Sequence, residues 1–249
     1  MKRGIYQLFF KRCFDVILSL VAIILLSPVF LIVYLLSAVL LKGNPIFKQY
    51  RPGKGGKIFA LYKFRSMTNK KDKSGNLLPD KDRITTWGKI LRKTSLDELP
   101  QLFNILKGNM SIVGPRPRLV SDMIFYDKEV LQAYNVRPGI TGPAQVYDRN
   151  SENSWNSVFD RDLHYSQNIT FWNDTKLFFK TFLAVLKGGS SNGANNNDSK
   201  QSKREYYYPD HLLKSNQITK EQYDAGLDIA NEIIENKRTI VYTKELHKD

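Results

Sequence analysis

The sequence predicts a mostly helical α+β protein whose N-terminal helical segment inserts in a membrane and whose remainder forms a small cytosolic domain. Three observations carry this. Val16 to Leu41 is a run of 26 residues without a charge, far beyond the apolar length of a soluble core helix. Downstream, apolar residues recur at three- and four-residue spacing, as in amphipathic helices. Between Gly- and Pro-rich turns, Ile58 to Met67 ends in strand-like alternation. With 249 residues, 42% of them hydrophobic, the chain can bury one core and carry appendages. The expected divisions are 1–42, membrane-inserted; 43–188, the main domain; 189–202, a flexible linker rich in Asn, Ser and Gly; and 203–249, a helical tail.

A straight helix over the 26 apolar residues would reach about 39 Å against a hydrocarbon core of roughly 30 Å, so a tilted single span accounts for its length. Two features favour a different course. Ser27 and Pro28 lie near the middle, where proline removes a backbone hydrogen bond, and halves of 12 and 14 residues are each too short to cross. Basic residues flank both sides, Lys2, Arg3, Lys11 and Arg12 before and Lys42, Lys48, Arg51, Lys54 and Lys57 after, which places both ends in the cytoplasm. A re-entrant hairpin broken at Ser27-Pro28 meets both features. Proline is tolerated in true spans, so the residues alone leave the two courses open. A cleaved signal peptide fits poorly, because no small-x-small site follows the run. Asp15 is expected near the headgroups beside Arg12.

Lys and Arg outnumber Asp and Glu by 38 to 24, a net charge of +14, so polyanions are the expected partners: phosphates, nucleotides, nucleic acid or an anionic membrane surface. The single cysteine, Cys13, excludes an internal disulfide framework, and three histidines without a Cys/His cluster argue against zinc chemistry and a serine-histidine triad. His164 is read as a hydrogen-bonding residue rather than a base. Asn44 to Lys57 mixes Pro45, Pro52 and three glycines with basic residues and reads as a hairpin turn; without P-loop spacing it does not suit an NTPase. The strand over Ile58–Met67 aims Lys63 and Arg65 at one face. A polar loop from Asn69 to Asp82 follows, and Trp87 opens a helical stretch leading to Arg92.

The chain is organised around Lys93 to Asn104. Leu99, Leu102, Phe103 and Leu106 mark a short helix that Gly108 stops. Either Ser95 and Glu98 form a capping box or Pro100 takes the first helical position; both put Asp97 and Glu98 at the positive end of the helix dipole. These residues alone suit a helix cap as well as a site. Beyond them, Pro115 and Pro117 stiffen the chain around Arg116, whose planar fork suits phosphate oxygens. A second turn, Arg137 to Pro143, has the same character. Trp172 to Leu186 intersperses aromatic and aliphatic residues with Lys176 and Lys180, as in a helix lying in a membrane interface or packed on a core. In the tail, Thr219 and Gln222 make a capping box for a helix with Tyr223, Leu227, Ala230 and Ile234 on one face. That face suits docking on the core, self-association or a partner enzyme.

Four motifs, in order, carry a family resemblance. Lys63-Phe64-Arg65-Ser66-Met67, Ser95-Leu96-Asp97-Glu98-Leu99-Pro100-Gln101, Val113-Gly114-Pro115-Arg116-Pro117 and Arg137-Pro138-Gly139-Ile140-Thr141-Gly142 resemble those of the bacterial monotopic phosphoglycosyl transferases, over roughly Phe9 to Gly188. The resemblance implies transfer of a sugar 1-phosphate from a UDP-sugar donor to a polyprenyl phosphate acceptor, releasing UMP and initiating a surface glycan. It also implies a re-entrant helix broken at a Ser-Pro pair, here Ser27 and Pro28, and a catalytic domain on the cytoplasmic face of a bacterial inner membrane, with membrane lipid rather than nucleic acid as partner. Asp97 corresponds to the nucleophile that forms a phosphosugar-aspartyl intermediate. Glu98, with Asp97, corresponds to the carboxylates associated with Mg²⁺. Lys63, Arg65, Arg92 and Arg116 fall at positions that hold phosphates, and Arg137 joins them as a substrate-binding candidate. The sugar is not specified. A basic non-enzymatic membrane scaffold and a metal-dependent phosphatase are the alternatives.

Overall fold

The structure, a computed structural model, describes residues 4–147, 154–186 and 207–246. It is mostly helical, with two small two-stranded sheets. After a π-helical turn at Tyr6–Phe10, helix α1 (Lys11–Leu25) meets α2 (Ser27–Leu41) at a bend of 65°. The bend has a local cause. Pro28 has no N–H for the Ile24 carbonyl, and the Ser27 hydroxyl donates to that carbonyl instead, at 2.8 Å. Among the described residues no single helix is long and apolar enough to cross a membrane; the bent pair meets that test only together. Much of its surface, including Ile24, Leu25, Leu31, Ile32 and Val39, is exposed apolar side chain.

The acidic and basic residues at the start of α1 face protein, not headgroups. Asp15 is buried, accepting hydrogen bonds from the Ser111 hydroxyl at 3.0 Å and the Ile112 N–H at 2.9 Å. Arg12 does lie near it, as expected, but the Asp15 carboxylate is taken up by the domain rather than left exposed. Lys11, Asp15 and buried Ser19 follow one another at four-residue spacing, so they form one polar stripe that docks on the domain. Lys11 donates to the Val113 carbonyl and pairs with Asp174, while Arg12 donates to the carbonyls of Ile105 and Leu106 at 2.7 and 3.1 Å.

Strands β1 (Ile46–Pro52) and β2 (Ile58–Phe64) pair antiparallel around a turn in which Gly55 and Gly56 have φ of 63° and 75°. β2 stops at Phe64 rather than Met67; beyond it Met67 bridges to Ile84. Helices α3 (Asp80–Arg83) and α4 (Thr86–Lys93) follow. α4 packs so tightly on the chain after β2 that a Cβ at Gly88 would lie 1.8 Å from the Ser66 carbonyl oxygen. Gly88→Ala is therefore expected to destabilise the protein by about 1–3 kcal/mol, read as a lower melting temperature in detergent.

A 3₁₀ turn (Leu96–Glu98) leads into α5 (Gln101–Leu106). Asn104 of α5 is fully buried and works as a substitute strand: its side chain accepts from the Tyr62 N–H at 3.0 Å and donates to the Ala60 carbonyl at 2.7 Å. Strand β3 (Ser111–Val113), α6 (Val120–Met123), α7 (Lys128–Gln132), β4 (Gly139–Thr141) and α8 (Pro143–Tyr147) come next. β3 and β4 pair in parallel, Ser111 opposite Gly139 and Val113 opposite Thr141. The two Pro- and Gly-rich turns, separate in sequence, thus become neighbours. Their glycines are needed for the approach, since a Cβ at Gly139 would lie 2.2 Å from the Gly114 nitrogen.

Helices α9 (Trp155–Gln167) and α10 (Phe171–Leu186) complete the main domain. Asp174 and Leu177 bury one stripe of α10, while Trp172, Phe178, Phe179, Phe182 and Leu183 remain exposed. His164 lies exposed on α9. The expected linker, 189–202, lies outside the described residues. In the tail, α11 (Tyr208–Lys214) and α12 (Lys220–Asn236) pack on the core: Leu212, Ile218, Ala230 and Ile233 join Met123, Phe125 and Tyr126 in one buried cluster. The capping box forms, with Gln222 N–H to Thr219 Oγ1 at 3.2 Å and Thr219 N–H to Gln222 Oε1 at 2.9 Å. The expected stripe packs on the cluster through Ala230, Tyr223 and Ile234, and Gly226 and Ile233 extend the buried face, because Gly226 admits the Phe125 ring against the α12 backbone. Past α12, the Ile240 N–H donates to the Gly56 carbonyl at 3.0 Å, so the tail also holds the β1–β2 turn.

Candidate active site

Asp97 and Glu98 owe their direction to the apolar residues beside them. Leu96 and Leu99 pack with Val33, Phe64 and Leu91, which turns the two carboxylates into the protein. Asp97 is 3% and Glu98 6% exposed, unusual for carboxylates and a sign of compensating charge. They are not helix caps. Ser95 takes a left-handed conformation (φ 56°) with no side-chain capping bond, Pro100 precedes α5 rather than opening it, and the pair lies in the 3₁₀ turn. Since α5 has six residues, its dipole gives limited support.

The compensating charge comes from three separate elements. Lys63 of β2 donates to Glu98 Oε1 at 2.8 Å, and the Arg116 guanidinium lies 3.6 Å from the same oxygen. Arg92 of α4, held by Ser66 Oγ at 3.0 Å, acts on Asp97 through its charge. Burial pushes the Asp97 carboxyl up to about 6, with the Glu98 charge acting in the same direction and Lys63, Arg92 and Arg116 opposing it. Arg116 is presented by a turn that its neighbour anchors: Arg118 sits 3.7 Å from buried Asp162 and packs over Trp155 at 5.6 Å.

The structure therefore gathers Asp97, Glu98, Lys63, Arg92 and Arg116, and places two other candidates elsewhere. Arg65 donates to the Leu41 carbonyl at 2.8 Å, closing the end of α2 instead of sharing a face with Lys63. β2 ends between the two residues, so strand alternation no longer aligns them. Arg137 donates to the Gly108 carbonyl at 2.9 Å and lines a separate cavity with Lys11, Arg12, Asp15 and Lys54. Sequence reasoning missed the anchor of α1: Asp174 accepts from Lys11, from Tyr6 at 2.8 Å and from Tyr165 at 2.7 Å. The four-residue spacing of Lys11, Asp15 and Ser19 was the available signal. Among the described residues no group of three or more His, Cys, Asp and Glu side chains gathers to hold a metal. Two adjacent carboxylates do suit Mg²⁺, which is held by one or two carboxylates with water and substrate phosphates, and do not suit zinc.

Paired carboxylates under basic groups from a strand, a helix and a proline-flanked turn form a centre suited to phosphate chemistry. The chain belongs to the bacterial sugar transferase family, whose model matches residues 6–188. Over 178 residues it is 46% identical to an uncharacterized sugar transferase, EpsL, of Bacillus subtilis, covering 71% of this chain and 87% of that protein. It is 42% identical to the undecaprenyl-phosphate galactose phosphotransferase of Salmonella typhimurium, with 72% of this chain and 41% of the relative covered. A UDP-glucose:undecaprenyl-phosphate glucose-1-phosphate transferase of Klebsiella pneumoniae is 41% identical, with 72% and 40% covered. The chain thus spans less than half the length of these last two relatives. The family match ends before the tail.

Proposed function

We propose that the protein transfers a sugar 1-phosphate from a UDP-sugar to polyprenyl phosphate, releasing UMP. The observation that carries this is the burial of Asp97 beside Glu98 within reach of Lys63, Arg92 and Arg116; the names of the relatives supply the acceptor and donor kinds. In the first step an ionised Asp97 oxygen attacks the sugar-bearing phosphorus, and the bond to the bridging oxygen breaks with UMP as leaving group. In the second, an acceptor phosphate oxygen attacks the same phosphorus, the Asp97–phosphorus bond breaks, and the carboxylate is restored. Lys63 and Arg116 balance the negative charge at Glu98 and lower the barrier to bringing a diphosphate beside two carboxylates. Glu98 with Asp97 would hold Mg²⁺, which when bound neutralises charge on the diphosphate.

Because the acceptor is a lipid, the site works at a membrane surface. The bent α1–α2 pair, with Lys11 and Arg12 tied to the domain, supports a re-entrant course in the bacterial inner membrane with both ends on the cytoplasmic side. Both termini are expected to be labelled from that side only; a protected N-terminus would restore the single span.

The decisive test is UMP release from a panel of UDP-sugars with Mg²⁺, with and without polyprenyl phosphate. Multiple turnover is expected only with the lipid. Equal release without it indicates a hydrolase, and no release with any sugar indicates a scaffold. The pH profile is a second test. Asp97 must be ionised to attack, so kcat/KM is expected to rise with pH as it titrates, a step that lies at about 6 without Mg²⁺ and moves lower with Mg²⁺ bound. Stability runs the other way. A carboxyl whose folded pKa is raised favours the folded state below its unfolded value near 3.8 and loses that contribution as pH rises through about 6. Titration of Asp97 below pH 4.5 in the protein without Mg²⁺ would contradict the burial argument.

A further inference from the structure

A groove of about 500 Å³ lies between α2, the β1–β2 hairpin and α5, apart from the charged cluster. We propose that it seats the first isoprene units of the polyprenyl phosphate acceptor, with the phosphate at its Pro100 end; this rests on the function proposed above.

The groove runs along α5, and its Pro100 end is close in the chain to the carboxylates. Pro100 follows Glu98 by two residues, and Phe103 and Lys107 continue one stripe along α5, a length of about 10 Å at the helical rise. Its floor is aromatic: the Phe30 ring packs against both Phe64 and Phe103 at centroid distances of 5.9 and 5.7 Å. Its chemistry excludes the other substrate. The Lys107 ammonium, at the far end, donates to the Tyr62 hydroxyl at 3.2 Å and lies 4.7 Å over that ring. The remaining side chains are apolar apart from the Tyr34 hydroxyl. A nucleotide or sugar would lose its hydrogen bonds to water there, whereas a hydrocarbon chain gains by leaving water.

The entrance points to the source of the chain. Leu31 and Tyr34 are 59% and 45% exposed, on the same helix as exposed Ile32, Leu35 and Val39. The groove is therefore continuous with the apolar surface of the bent helix pair, and a lipid chain entering it need not cross water. A single site then orients the acceptor: its chain lies along α5, and its phosphate meets Lys63 and Arg116 at the carboxylate end.

The test compares methyl phosphate, which has no chain to enter the groove, with a fifty-five-carbon polyprenyl phosphate on the full-length enzyme with one UDP-sugar. Leu31→Trp and Phe103→Trp fill the groove at partly exposed positions. Each is expected to lower the long-to-short ratio of kcat/KM by about tenfold, whereas Val39→Trp, outside the groove, leaves the ratio unchanged. Wild-type turnover with an unchanged ratio in both filled variants, or with equal losses on both acceptors, overturns the groove and leaves the function standing. Wild-type protein that releases no UMP overturns both. A measurement without variants covers the case where tryptophan disturbs folding: a diazirine-bearing polyprenyl phosphate should crosslink the wild-type peptides containing Leu31 or Phe103. Crosslinks elsewhere, or equal competition by phosphatidylglycerol vesicles, overturn the assignment.

Discussion

Asp97→Asn is expected to lower UMP release by about 10³-fold or more, with the melting temperature within a few degrees of wild type. The amide keeps the shape of the carboxylate but cannot act as the anionic nucleophile. Burial already disfavours the charge, so removing it costs the fold little. Mass spectrometry separates this from a binding defect. Wild-type protein given UDP-sugar without acceptor should gain the mass of one sugar phosphate on the peptide carrying Asp97, and the variant should gain none. Turnover retained in Asp97→Asn would falsify the covalent mechanism. Glu98→Gln should also abolish turnover, because it removes the oxygen charge that Lys63 and Arg116 now face.

The second large effect concerns stability. Asp174→Ala is expected to destabilise the protein by about 3–5 kcal/mol, since it leaves the Lys11 ammonium buried and unpaired at the base of α1. The Lys11 and Asp174 side chains are only 12% and 9% exposed, so solvent does little to screen the loss. Tyr6 loses its acceptor in the same change, and Tyr165 is left with the Val113 carbonyl at 3.1 Å. The fall should show as a lower melting temperature in detergent and as proteolysis between α1 and the domain. Replacing both partners, Lys11→Met with Asp174→Leu, should recover part of it, because an apolar pair of similar volume avoids the unpaired charge. A single variant as stable as wild type would mean that α1 is held by its apolar contacts alone.

The sequence was most informative where chemistry is local. The Ser27-Pro28 break, the Thr219 capping box and the hairpin turn at Gly55 all depend on a few neighbouring atoms, and each is found where its residues place it. The motif at Asp97 and Glu98 was equally visible, but its local reading as a helix cap was wrong, because the left-handed Ser95 and the packing of Leu96 and Leu99 are set by contacts with α2, β2 and α4. Arg65 and Arg137 show where order in the chain stops short of geometry. Both sit inside motifs and both carry the right charge, yet their partners are the carbonyls of Leu41 and Gly108. A motif states which residues occur together in order; it does not state which way each points.

By itself the sequence determined that the chain carries a long apolar segment, that the segment breaks at Ser27-Pro28, and that two carboxylates lie in order among basic motifs, since these follow from composition, spacing and the missing proline N–H. Only the tertiary structure decided that the polar stripe of α1 faces protein, that the parallel pairing of β3 with β4 joins the two glycine-rich turns, and that Lys63, Arg92 and Arg116 converge on one buried pair. The physical reason is distance along the chain. Lys63 and Glu98 are 35 positions apart, and Lys11 and Asp174 are 163; contacts of that span depend on how whole elements pack, which no local pattern records.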